Sequence, residues 1–358
     1  MRMTFRWFGE GNDPIPLSHI KQIPGTEGIV WALHDIAAGE EWPLERIQEV
    51  KRQADAAGFH IDVVESVNVH EDIKLGLPTR DQYIENYKKT IASLATVGVK
   101  VICYNFMPVF DWLRTNLYAP LEDGSTAMFF EKAKVSSLTP HELVAFFQSN
   151  TSFQLPGWEP ERLSQLSSTL KAYEAVNDEK LWDNLAYFLE QIVPVAAEHG
   201  IRMAIHPDDP PYPLFGLPRV INSQESLRRL LKLVDHPANG ITLCSGSLGA
   251  NPNNDIIAMI HEFADRIPFA HIRNVRVAEN GDFIETSHRT EDGTVNIAGI
   301  MKAYYDVGFT GYARPDHGRH VWDEVCRPGY GLYDRGMGIM HLLGLWDAYR
   351  YADKGKLS

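Results

Sequence analysis

The chain has 358 residues, 44% apolar and 23% charged, with a formal net charge of −13. That balance is ordinary for a globular protein with a large core, and its acidity argues against nucleic acid as a partner, since such binding depends on Lys and Arg neutralising phosphates. Cys103, Cys244 and Cys326 are too few and too odd in number for a disulfide framework, no run approaches the ~18 apolar residues of a membrane span, and the opening MRMTFRWFGEGND lacks a signal-peptide core, so a cytoplasmic protein away from membranes is expected.

Apolar runs alternate with helical patterns along the chain, as in repeated βα units. The expected strands are TFRWFG at 4–9, GIVWALH at 28–34, HIDVVES at 60–66, VKVICYNF at 99–106, IRMAIHP at 201–207, GITLCSG at 240–246, PFAHIRN at 268–274 and TGYARPDH at 310–317. A helix follows Pro43 and stops at Gly58, and another opens on Thr79 as a cap and closes at Gly98. Eight strands with eight helices close an α/β barrel of the (β/α)₈ kind, a single domain over 1–358. An open doubly wound sheet would want a Gly-rich phosphate loop after its first strand, and FGEGND is a poor one. The regular spacing fails once, over 107–180 after the fourth strand, where a hairpin turning at Glu122-Asp123-Gly124-Ser125 and several helices are expected. An insertion there lies on the catalytic face, and its aromatic content fits a cover over substrate better than a disordered loop.

His206, Cys244, His271 and Asp316 sit at the ends of strands five to eight. Each alone has a bland reading as a hydrogen-bonded histidine, a small buried thiol or a loop carboxylate. Together they converge on one face of a barrel, and two imidazoles, a thiolate and a carboxylate suit one divalent transition metal in an open catalytic site. The thiolate and imidazoles favour Zn²⁺ or Fe²⁺, and the carboxylate also accepts Mn²⁺. Other polar residues fall on the same rim: His34, Glu65, Asn105 and Arg273, with His317 after Asp316. Such a rim suits a small, highly oxygenated substrate. Arg114, Arg273 and Arg319 could each grip its carboxylate in bidentate fashion, and the CSGSLG turn could offer N–H groups to an anion. A homo-oligomer is the expected assembly.

The motifs ESVNVHEDIKLG at 65–76, YNFMPVFDWLRT at 104–115, CSGSLG at 244–249, HIRNV at 271–275 and RPDHGR at 314–319 resemble those of the mannonate dehydratase family. The resemblance implies a xylose-isomerase-like barrel holding Mn²⁺ or Fe²⁺ and conversion of D-mannonate to 2-keto-3-deoxy-D-gluconate and water, in hexuronate (glucuronate) breakdown. It also implies His206, Cys244, His271 and Asp316 as metal ligands, with His317 and either Tyr330 or Tyr333 as acid and base. The alternative is a metal-dependent sugar or sugar-acid isomerase or epimerase on the same barrel. A barrel nuclease would need a basic surface, and a non-catalytic sugar-acid binder would have little use for a thiolate-ligated metal.

Overall fold

The structure, a computed structural model, describes residues 1–136, 142 and 160–355. Strands are numbered along the chain. Eight of them, β1 (Arg2–Arg6), β2 (Gly28–Trp31), β3 (His60–Glu65), β4 (Val101–Tyr104), β7 (Arg202–Ile205), β8 (Asn239–Cys244), β9 (Phe269–His271) and β12 (Tyr312–Arg314), pair in parallel, and β12 returns to β1. The sheet is therefore a closed barrel, which removes the open doubly wound alternative. All eight apolar runs become its strands. The last is shorter than expected: Pro315, without an N–H for the ladder, follows Arg314, so Asp316 and His317 stand on the loop beyond.

Alternation along the strands divides the core in two. Val30, Val63, Val101, Cys103, Ala204 and Phe269 fill the barrel interior, with Tyr312 packed against them. Ile29, Trp31, Val64, Ile102, Met203, Ile205, Leu243 and Ala313 point outward into the helix layer. The helix Leu44–Ala57 ends at Gly58 with φ 73°, the left-handed cap that its glycine permits. Arg80–Thr96 starts after Thr79 as expected, but the Thr79 hydroxyl donates to Asp72 and caps no backbone N–H. At the amino-terminal end of the strands Arg2 Nη1 donates to Asp62 (2.9 Å) and to the Tyr312 hydroxyl (3.0 Å), which plugs the barrel floor.

The opposite end carries a second sheet. β5 (Asn116–Pro120) and β6 (Thr126–Phe130) form the expected hairpin. No periodicity marks β10 (Val275–Val277) and β11 (Phe283–Glu285), a hairpin that follows β9. β11 pairs with β6, so the two hairpins join as β10-β11-β6-β5, with Phe130 and Phe283 stacked at 5.2 Å. Thr126 and His320 exchange backbone hydrogen bonds of 3.1 and 2.7 Å, tying this sheet to the loop after β12. Within the 107–180 segment, the helices Lys132–Ser136 and Pro160–Tyr173 are seen, and residues 137–141 and 143–159 lie outside the described residues.

The helix Asp178–Glu198, capped by the Asn177 side chain on the Lys180 N–H, leads into β7 and so aims His206. Its Phe188 is fully buried and meets Tyr87 at 5.2 Å and Tyr104 and Phe106 at 5.8 Å between ring centroids. Phe188→Ala should lower stability by about 3–5 kcal/mol, read from urea unfolding; a loss under about 1 kcal/mol would mean that the helix does not lean on this contact.

Candidate metal centre

His206 follows β7, Cys244 ends β8, His271 ends β9 and Asp316 follows β12. One donor atom from each lies within 4.8 Å of the other three. His206 Nε2 and His271 Nδ1 face each other at 3.2 Å, the Cys244 sulfur is 3.5 Å from Asp316 Oδ2, and His271 Nδ1 is 3.7 Å from that same oxygen. His206 is turned by its Nδ1, 2.7 Å from the Pro207 carbonyl, and His271 by its Nε2, 3.4 Å from Glu65 Oε2. Both contacts leave the opposite ring nitrogen aimed at the cluster, as outer partners of metal-binding histidines do.

The electrostatics fit a cation. Burial alone would raise the Cys244 thiol, but the Arg273 charge and hydrogen bonds from His206 and His271 hold it well below its usual value. Burial alone would lower His206, yet the Cys244 sulfur, Asp316 and Glu65 bring it up to about 9. Asp316 stays ionised against its burial because His317, Arg314, His271 and Arg273 surround it. Five anionic groups, Glu65, Asp209, Cys244, Glu285 and Asp316, face the three guanidiniums of Arg114, Arg273 and Arg314. The acidic groups outnumber the guanidiniums, a balance that favours a bound cation.

Two buried arginines hold this arrangement. Arg273 uses its whole fork: Nε donates to Asp316 (2.8 Å), Nη1 to both Glu285 oxygens (2.8 Å each), and Nη2 to Asp209 (2.7 Å) and Ser247 (3.0 Å). Arg114 grips Asp209 at 2.8 and 3.0 Å and reaches Glu285 at 2.6 Å. Neither has a donor left for substrate, so the expectation that they clamp its carboxylate is corrected; they bind the protein's own carboxylates. Arg319, the third arginine of that expectation, spans Asp334 (2.8 Å) and Asp123 (2.8 Å) in the hairpin turn. In the CSGSLG turn the Ser247 N–H and hydroxyl go to the Cys244 sulfur at 3.4 and 3.1 Å, so the anion it serves is that thiolate. Gly246 permits the close fit, as a Cβ there would lie 2.5 Å from the Arg273 guanidinium carbon.

Beside the cluster His317 Nδ1 is 3.2 Å from Glu285 and Nε2 is 3.1 Å from the Tyr330 hydroxyl, with Trp112 against the ring at 5.5 Å. Tyr330 is buried. Tyr333 is 45% exposed with its ring near Trp322, and the structure does not bring it to His317. Arg335 fixes Tyr330 by donating to its carbonyl and to those of Gly331 and Arg6.

The model of the D-mannonate dehydratase (UxuA) family matches residues 1–356. The chain belongs to the D-mannonate dehydratase family. It is 68% identical over 358 residues to a mannonate dehydratase of Shouchella clausii, with all of both chains covered. The crystal structure of mannonate dehydratase from Streptococcus suis serotype 2 superposes with a TM-score of 0.89 at 43% identity, covering 99% of this chain and 96% of the other. A xylose isomerase domain protein from Planctomyces limnophilus, 14% identical with a TM-score of 0.55 and 96% of each chain covered, shares the fold alone.

In this dehydratase family member the remaining rim residues have settled partners. Glu65 is held bidentate by Arg314 at 2.9 and 3.0 Å, and Asn105 Nδ2 donates to Asp111 at 2.9 Å, bracing the loop after β4. His34 Nε2 lies 3.2 Å from Arg6 Nη2. Sequence reasoning missed Arg6, Asp209, Glu285 and Arg314. Arg6 and Arg314 close their strands as the chosen residues do, and that position was the available signal. Asp209 and Glu285 lie beyond their barrel strands, where no periodicity marks them.

Cys244→Ser should keep the fold and lose metal, because a hydroxyl is rarely deprotonated; metal content at wild-type level in the folded variant would remove Cys244 from the ligand set. A second expectation concerns acid. Burial opposes the ionisation of Glu285, but Arg273 and Arg114 outweigh it and bring its pKa from 4.5 to about 2. A lowered folded pKa contributes stability present above 4.5 and lost as pH falls through about 2. Thermal melts of Glu285→Gln should therefore start lower at neutral pH and fall less steeply than wild type between those limits; equal slopes would contradict this coupling.

Proposed function

We propose that the chain catalyses the dehydration of D-mannonate to 2-keto-3-deoxy-D-gluconate and water, with His317 as base and Tyr330 as acid. The observation that carries this reading is the His317–Tyr330 pair set beside four metal-binding donors in a member of this family. His206, Cys244, His271 and Asp316 would hold one divalent ion, Mn²⁺ or Fe²⁺, with Zn²⁺ also suited to the donor set. Bound there, it would supply Lewis-acid stabilisation of negative charge on substrate oxygens, worth several kcal/mol.

Glu285 orients His317 by accepting from Nδ1–H, which leaves Nε2 with its lone pair. Nε2 removes the C2 proton, and the C3–O bond breaks as Tyr330 gives its proton to the departing hydroxide. Burial first, then the charge of Asp316, raises Tyr330 and keeps it in the protonated form that can donate. At 3.1 Å, the His317 proton can return to the Tyr330 oxygen, so the pair resets after releasing water. The enol product collects a proton at C3 and becomes the 2-keto acid. The sheet formed by β5, β6, β10 and β11 covers the reaction from water, with the 107–180 segment an insertion in a single barrel domain. The reaction belongs to hexuronate (glucuronate) breakdown in the cytoplasm, by a homo-oligomer.

Reaction of D-mannonate in D₂O should leave about one deuterium at C3 of the product, seen by NMR and mass. Tyr330→Phe should lower kcat by about 10²-fold or more with little change in metal content, while Tyr333→Phe stays near wild type. A product of unchanged mass without carbon-bound deuterium would replace dehydration with isomerisation, and a fully active Tyr330→Phe would remove Tyr330 as the acid.

A further inference from the structure

The three arginines expected to take the substrate's carboxylate are spent on the protein's own acids, which leaves the recognition of that charge unassigned. Arg6, the last residue of β1, is different. Its side chain is 95% buried by the complement of its 5% exposure, and it makes no ion pair among the described residues, because Glu65 is taken by Arg314. Nη2 faces His34 Nε2 at 3.2 Å, and Nη1 is buried with no hydrogen-bond partner among the described residues. Arg327 comes to the same place from the loop after β12. Its guanidinium and that of Arg6 each lie 4.7 Å from the Phe8 ring centroid, and its Nε is also buried without a partner. The Phe8 ring meets His34 at 5.1 Å and the edge of Tyr330 at 4.9 Å, so this pocket adjoins the proposed acid.

An unpaired buried guanidinium is costly unless something completes its hydrogen bonds. His34 can accept from Nη2 but brings no negative charge, and it leaves Nη1 without a partner among the described residues. A carboxylate has the planar two-oxygen shape that a guanidinium receives best.

We propose that Arg6, with Arg327 and His34 beside it, forms the subsite that receives the carboxylate of the sugar acid. This deepens the dehydratase reading and rests on it. Both guanidiniums lie against Phe8, and Arg335, through the Arg6 and Tyr330 carbonyls, fixes the subsite relative to the acid.

The test is calorimetric binding to the metal-loaded protein of D-mannonate and of D-mannitol, which carries an alcohol in place of the carboxylate. Arg6→Met should weaken D-mannonate by on the order of tenfold or more and leave D-mannitol unchanged, and KM should rise more than kcat falls. Equal weakening of both ligands, or D-mannonate bound as tightly as by wild type, overturns the subsite. So does a wild-type protein that binds the two ligands equally. Should Arg6→Met not fold, Arg6→Lys and Arg327→Met replace it: both must weaken D-mannonate and spare D-mannitol, and wild-type affinity in both overturns the proposal. The two readings fail separately. Wild type that binds D-mannonate through Arg6 without forming a 2-keto-3-deoxy acid ends the dehydratase reading, whereas turnover unaffected in Arg6→Met ends the subsite alone.

Discussion

The charges of the proposed site meet at the Arg273 guanidinium. Its five N–H groups reach Asp316 in the metal-binding cluster, Glu285 in the sheet above it, Asp209 after β7, and Ser247, which in turn caps the Cys244 sulfur. One planar cation thus fixes a carboxylate ligand, a thiolate ligand, the orienting partner of His317 and the anchor of the covering sheet. The arrangement works because the ion is buried among acids whose own desolvation it offsets. Taking away one member of such a set leaves the others uncompensated, at a cost of about 3–5 kcal/mol.

The covering sheet depends on the same charges. β5 and β6 belong to the segment after β4, and β10 and β11 to the loop after β9, yet they share one ladder. Arg114, at the foot of β5, pairs with Glu285, at the end of β11, with the Phe283 ring 4.7 Å from its guanidinium carbon. Apolar packing from Phe130, Phe283 and Met128 fills the sheet's inner face, and the ion pairs set its register over the barrel. The same Glu285 then reaches His317, so one carboxylate ties this sheet to the proposed base.

Most of this was legible in the chain, for a definite reason. Barrel strands announce themselves by apolar runs at regular intervals, and barrel closure predicts that their ends meet; His206, Cys244, His271 and Asp316 were found that way and lie together. What the sequence hid was the use of each arginine. Arg6, Arg114, Arg273 and Arg319 are chemically alike, and whether a guanidinium is spent on Asp209 or left open depends on contacts between distant segments. The choice between Tyr330 and Tyr333 was hidden too, because three positions along the loop decide between a buried ring beside His317 and an exposed one beside Trp322. β10 and β11, three residues each, are too short to carry a periodic signal.

The spacing of the partners along the chain has a consequence for how the molecule comes into being. Arg114 meets Asp209 across 95 residues and Glu285 across 171, and Arg314 meets Glu65 across 249. Contacts of such separation carry a large loop-closure entropy and form late, after local helices and neighbouring strands are in place. Arg114, Asp209, Arg273 and Glu285 all precede β12, so their network is independent of the strand that closes the barrel, whereas the pairing of Arg314 with Glu65 waits for it. Asp316, His317, Arg314 and Tyr330 all lie on or after β12, the strand that closes the barrel against β1. Three of the four proposed ligands precede β12, and the set is complete only when that strand docks on β1 and brings Asp316 to them.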